Sequence, residues 1–184
     1  MIISLIVIFI LFMLDQGSKY LTEINLAEGE VREVIPGFLK ITKIYNTGAG
    51  WGMLDNATWL LVIISAIATV VLAYFVMQNN WKKEKFKSFI MCLLFAGCVG
   101  NLYDRLVSVL PFTKAARPGV VDMIKWSWFD WFTSSLHLGT TIFNVADFFL
   151  VTGLVLLILY LIVTEVRAYV KSKSRKWLYW FKAW

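Results

Sequence analysis

The sequence predicts an all-α integral membrane protein in which four transmembrane helices carry a small strand-rich loop platform on the extracytoplasmic side. Three observations lead to that fold class. Hydrophobic residues make up 59% of the 184-residue chain and charged residues only 16%, against about 45–50% and about 25% in ordinary soluble domains. Four runs each approach the roughly 20 apolar residues that a helix needs to cross a bilayer core about 30 Å thick. Lysine and arginine gather beside the ends of those runs, as they do where they set membrane orientation. The same placement removes the nucleic-acid reading that a net charge of +6 invites. A single histidine with two cysteines makes a dedicated metal site unexpected, and no other cofactor is expected.

The spans are expected at residues 2–21, 57–77, 86–110 and 141–164. The first lacks the basic start and small-residue cleavage site of a secretory signal and reads as a retained span. Between the second and third spans stand Lys82, Lys83, Lys85 and Lys87, and the segment after the fourth carries Arg167, Lys171, Lys173, Arg175, Lys176 and Lys182. The loop at 22–56 has three basic residues and five acidic ones. This bias places both termini and the lysine-rich loop in the cytoplasm and the other two loops outside. Residues 30–54 alternate β-branched and polar positions around Pro36-Gly37, Gly48, Gly50 and Gly52, a strand-rich platform with a flexible turn. The third loop holds Trp126, Trp128, Phe129, Trp131 and Phe132, residues that ordinarily anchor at the headgroup level. Residues 1–170 form the expected four-span membrane domain, and 171–184 a basic, aromatic cytoplasmic tail lying at the interface.

Ionisable groups inside a span are costly and mark function or a paired brace. At about 1.5 Å per helical residue, Asp15 and Lys19 lie about 20 and 26 Å along the first span, and Asn101 to Arg105 about 22–28 Å along the third. Asp147 lies about 9 Å from the outer end of the fourth. Three helices thus bring polar groups to one level in the outer third of the bilayer. Gly97, Asn101 and Asp104 share a face of the third helix, Asn144 and Asp147 a face of the fourth. Gly97 and Gly100 let another backbone approach. Asp15 and Lys19, at i and i+4, suit direct pairing, whereas Asp104 and Arg105 diverge and seek separate partners. For these four charges a buried ionic brace serves as well as catalysis. Asp122 joins Asp147 at the outer face, where two poorly hydrated carboxylates do not both ionise. One then activates water while the other donates a proton, which is metal-free general acid–base hydrolysis. Other peptidase chemistries fit poorly. His137 stands near Ser134 and Ser135 without a Gly-x-Ser-x-Gly turn, and Cys92 and Cys98 point to different sides of one helix.

The motifs occur in the order Asp15-Gln16-x-x-Lys19, Asn46-Thr47-Gly48-Ala49-Gly50-Trp51-Gly52, Gly97-x-x-Gly100-Asn101-Leu102-Tyr103-Asp104-Arg105-Leu106, Gly119-Val120-Val121-Asp122 and Phe143-Asn144-Val145-Ala146-Asp147. Together they resemble the bacterial lipoprotein signal peptidases, also called signal peptidase II, over nearly the whole chain. The resemblance implies an aspartic endopeptidase of the bacterial inner membrane that removes the signal peptide from diacylglyceryl-modified prolipoproteins, cutting before the lipidated cysteine. It implies Asp122 and Asp147 as the catalytic pair. Asn46, Gly48, Asn101, Asp104, Arg105 and Asn144 would support the site and bind substrate, and Asp15 and Lys19 would form a structural polar pair. The partners implied are the lipid-modified substrate and membrane lipid, and a monomer suffices. The chain departs from the family in the long stretch between Asp122 and Asp147, in Phe148 where a small polar residue commonly stands, and in its Trp-rich tail. Two readings from other classes compete: a small proton-coupled transporter, disfavoured because the acids collect at one face rather than the midplane, and a non-enzymatic membrane scaffold.

Overall fold

The computed structural model describes residues 1–48, 57–110, 117–135 and 141–182. The described elements run in the order α1 (Ile2–Asn25), β1 (Val31–Ile35), β2 (Leu39–Asn46), α2 (Thr58–Met77), α3 (Lys85–Val109), β3 (Val120–Trp126), α4 (Ser127–Ser135), β4 (Ile142–Phe143) and α5 (Val145–Lys182). α1, α2, α3 and the Val145–Lys173 part of α5 are each long and apolar enough to cross a membrane. α3 is the central span. In its most apolar stretch 61% of residues are buried, against 22% in α1 and 17% in α2 and α5, and the other three pack around it. Phe9, Ile67, Val70 and Leu154 stand exposed on those outer helices, as lipid-facing side chains do.

Lipid gives helices little hydrophobic reason to associate, so small residues that permit close backbone contact carry the packing. A Cβ at Gly97 would lie 2.6 Å from the Ala146 carbonyl oxygen and 2.8 Å from Leu150 Cγ. One at Gly100 would lie 2.5 Å from Asp15 Oδ2. The two glycines seat the first turn of α5 and the carboxylate of α1 directly on α3.

Helix boundaries differ from the hydropathy reading most at the fourth span. Ile142 and Phe143 are not helical, because they pair with Lys125 and Ile124 as β4. The helix begins at Val145 and runs without a break to Lys182, through the residues read from sequence as a separate tail.

The four strands form one antiparallel sheet in the order β1-β2-β3-β4. β1 and β2 are the strands read from the first loop, turning at Gly37, whose φ of 70° suits a residue without Cβ. β3 comes from the third loop and β4 from residues read as the start of the fourth span, so both outer loops and that start build one platform at the end of the bundle. In the β2–β3 ladder, Ile41 opposes Ile124 while Ile44 opposes Asp122, so β2 has one residue more than β3 between those pairs. Such a bulge shifts the alternation by one position. It brings Asn46 onto the face of Asp122, as a diagonal neighbour across the ladder.

Replacing Gly97 with alanine should force the Ala146 turn off α3. Overpacking of this kind should lower the melting temperature of the purified protein by roughly 3–10 °C. An unchanged melting curve would show that α3 and α5 have room to spare.

Candidate active site

Construction of the site starts with a buried lysine. Lys19 is fully buried in α1, with its ammonium 2.8 Å from Asp15 Oδ2, 2.7 Å from Asp104 Oδ2 and 3.2 Å from Asn101 Oδ1. An ammonium taken out of water is tolerated only with close compensation of this sort. Asp15 has a second role, since its Oδ1 accepts from the Ala146 N–H at 2.8 Å and so satisfies a free donor in the first turn of α5. Gln16 donates to Asp15 Oδ2 at 3.0 Å. Arg117 extends the network outward by pairing with Asp104 Oδ1 at 3.2 Å and with Glu23. Helices α1, α3 and α5 are thereby tied together at one level.

Three asparagines translate this frame into a site. Each has its carbonyl oxygen held by a donor, which turns its amide NH₂ toward a carboxylate. Asn101 Oδ1 accepts from Lys19 and, at 3.1 Å, from Asn144 Nδ2, and Asn101 Nδ2 donates to Asp147 Oδ1 at 2.7 Å. Asn144 Oδ1 accepts from the Asp147 backbone N–H at 2.9 Å, and Asn144 Nδ2 donates to Asp122 Oδ1 at 2.6 Å. Asn46 Oδ1 accepts from the Gly48 N–H at 3.0 Å, and Asn46 Nδ2 donates to Asp122 Oδ2 at 2.8 Å.

The Asn144-Val145-Ala146-Asp147 motif has a local explanation. Asn144 precedes the first residue of α5 and caps it, while the Asp147 carboxylate accepts back from the Asn144 N–H at 3.2 Å. This is a reciprocal capping box. It corrects the placement of both residues along a helix that had already begun: Asn144 is the cap, and Asp147 lies in the first turn rather than about 9 Å along. The positive end of the α5 dipole therefore points at this carboxylate.

The long stretch between Asp122 and Asp147 does not hold them apart. β3 pairs antiparallel with β4, Ile124 opposite Phe143, so the chain returns beside Asp122 just before Asn144. The intervening segment is an excursion from that pairing. Asp122 and Asp147 both line a cavity of about 480 Å³, together with Asn46, Asn101, Arg105 and Asn144. Trp126, Trp128, Phe143, Phe148 and Val151 supply much of its apolar wall. Burial pushes the Asp122 carboxyl up to about 7, the Asp147 carboxylate adds to the rise, and the amides of Asn46 and Asn144 oppose it.

Of the residues singled out in the sequence, Asp122, Asp147, Asn46, Asn101, Asn144 and Arg105 meet at this cavity, where Arg105 also reaches Ser65 Oγ on α2 at 3.5 Å. Gly48 stands behind Asn46 and orients it. Asp104, expected to support the site, is fully buried in the lysine network with Asp15 and Lys19. Phe148, half exposed, lies on the cavity wall. Gly50, Trp51, Gly52 and His137 lie outside the described residues. The sequence reading missed Arg117, an isolated loop arginine before Pro118 with no periodicity to mark it. It also missed that Trp126 and Trp128 wall the site, for which aromatic content was the available signal.

Comparison with known proteins agrees with this architecture. The family model for signal peptidase (SPase) II matches residues 7–163. The lipoprotein signal peptidase of Enterococcus faecalis is 38% identical over 156 residues, covering 84% of each chain. That of Symbiobacterium thermophilum is 30% identical over 163 residues, covering 89% of this chain and 96% of the relative. A solved bacterial membrane enzyme structure, obtained by the in meso method at 2.3 Å, superposes with a TM-score of 0.69 at 32% identity. The superposition covers 86% of this chain and 87% of that one. With a motif order, a four-span bundle and a sheet platform that all agree, the chain belongs to the signal peptidase II family.

Proposed function

We propose that this chain is an aspartic endopeptidase that removes the signal peptide from diacylglyceryl-modified prolipoproteins by cleaving before the lipidated cysteine. The observation that carries the reading is that Asp122 and Asp147 line one cavity and are joined through Asn144, which donates to both carboxylates. Family membership supports the substrate class, since the relatives are named lipoprotein signal peptidases.

In this mechanism Asp147, at the positive end of α5, is the ionised partner and Asp122 holds the proton. Asp147 takes a proton from water as the water oxygen attacks the scissile carbonyl carbon, and Asp122 gives its proton to the carbonyl oxygen. The tetrahedral intermediate then collapses. Its hydroxyl proton returns to Asp122, the C–N bond breaks, and the proton on Asp147 passes to the leaving nitrogen. Both carboxyl groups end as they began. Arg105 supplies positive charge to a cavity that must hold a developing oxyanion. Asn46, Asn101 and Asn144 keep both acids oriented, and the apolar wall receives the lipid-bearing side of the substrate. A cysteine held by its acyl chains reaches a site at this depth at a fixed height, so anchoring supplies much of the required orientation.

The lysine-rich α2–α3 loop and the basic C-terminal segment support a topology with both termini in the cytoplasm and the sheet outside the inner membrane. The membrane domain spans residues 1–170, and the chain acts as a monomer with membrane lipid around it.

Asp122→Asn and Asp147→Asn should each lower kcat on a lipidated prolipoprotein by about 10²–10⁴-fold. The melting temperature of each variant should stay within a few degrees of the parent. Normal processing by either variant would remove the assignment. The pH dependence has a definite sign. Asp122 is protonated below about 7 and loses its proton above it, so kcat/KM should fall as pH rises through about 7. It should fall again at lower pH, when the second carboxylate takes up a proton and the base is lost. A rate that keeps rising with pH to 9 would contradict an acid role for Asp122.

A further inference from the structure

Strand pairing alone returns the chain to Asp147, so the segment between β3 and β4 is free to serve another purpose. Its helix, α4, has nine residues. Trp128, Trp131, Phe132 and Ser135 recur at i, i+3, i+4 and i+7 and share one face. All four are exposed, and Trp131, at 74%, is the most exposed large apolar side chain among the described residues. Thr133, on the opposite side, is buried. The start of the helix is fixed in place: Trp126 stacks on Trp128 with ring centres 6.2 Å apart and meets Phe143 edge-on at 5.0 Å. Phe143 leads directly into Asn144.

A second observation identifies what this face meets. Trp128 lines the cavity together with Phe148 and Val151, and those two stand exposed on the membrane-spanning part of α5. The aromatic face of α4 and the lipid-facing side of α5 therefore bound the same opening. Nine residues are too few to cross a bilayer, while tryptophan-rich helical faces suit the layer between headgroups and acyl chains.

We propose that α4 is a lipid-surface helix. It seats Trp131 and Phe132 in the leaflet on the sheet side of the bundle. Trp128 then forms the lip over which an acyl chain passes from the bilayer toward Asp122 and Asp147. The lip role rests on the reading that a lipid-bearing substrate is cut at those carboxylates, whereas the lipid seat does not.

The test uses the full chain in vesicles of phosphatidylcholine and phosphatidylglycerol, with an environment-sensitive fluorophore on Trp131→Cys and, for comparison, on Glu28→Cys in the exposed loop after α1. Cys92 and Cys98 are buried, which favours labelling at the introduced thiol. The label at 131 should be quenched by headgroup-proximal nitroxide lipid and protected from aqueous iodide by roughly threefold or more relative to position 28. Equal iodide access at the two positions would overturn the lipid seat. The unlabelled double variant Trp131→Ser/Phe132→Ser should raise KM for diacylglyceryl substrate in vesicles by roughly three- to tenfold with kcat unchanged. Unchanged kinetics, or a fall in kcat alone, would overturn the lip. Full activity in Asp122→Asn would instead remove the catalytic reading while leaving the quenching result intact, so the two failures are distinguishable.

Discussion

A fully buried lysine imposes the constraint on which the sheet end of this molecule depends. Lys19 cannot sit charged inside the bundle unless anions approach it, and Asp15 and Asp104 do so from its own helix and from α3. Each anion then acts beyond the pair. Asp15 caps the first turn of α5, and Asp104 draws in Arg117, which reaches on to Glu23. Removing one member of such a buried set typically costs about 3–5 kcal/mol, because it leaves a charge without compensation. Electrostatic necessity thus supplies the association that lipid-facing apolar surfaces do not.

The lysine also acts on the site through an amide. Holding Asn101 Oδ1 turns Asn101 Nδ2 toward Asp147. Asn144 and Asn46 work similarly, their oxygens occupied by a helix-terminal N–H and by the Gly48 N–H. All three side chains therefore serve as donors to carboxylates. In the proposed mechanism this arrangement orients two acids side by side without a metal, while burial keeps Asp122 protonated near neutral pH. Placement of Asp147 in a capping box couples its position to the start of a membrane helix, a more rigid mounting than a loop would provide.

Much of the bundle was legible in the sequence because its signals are strong and local. Span length needs only hydropathy, Gly97 and Gly100 announce a close helix contact, and Asp15 with Lys19 at i, i+4 announces a pair. Loop geometry was legible only in part. β1 and β2 show alternation, whereas β3 and β4 take their meaning from each other, and the bulge that turns Asn46 toward Asp122 leaves no mark in a single strand. Asn144 and Asp147 read as neighbours on a helix face, yet the start of the helix was hidden because apolar Ile142 and Phe143 suit a span as well as a strand. Arg117 has no periodic context, and only the fold brings it to Asp104 and Glu23.

The central claim is that two carboxylates share one proton in a buried, amide-lined cavity at the sheet end of the bundle. Infrared difference spectroscopy of the purified protein tests it most directly, by following the carbonyl stretch of a protonated carboxyl group as pH changes. The account predicts such a band at pH 6 that disappears as pH is raised through about 7 and is missing from Asp122→Asn. In Asp147→Asn it should disappear at a lower pH, because burial remains while the neighbouring charge is gone. A spectrum without that band at pH 6, or a band that persists unchanged in both variants, would contradict it.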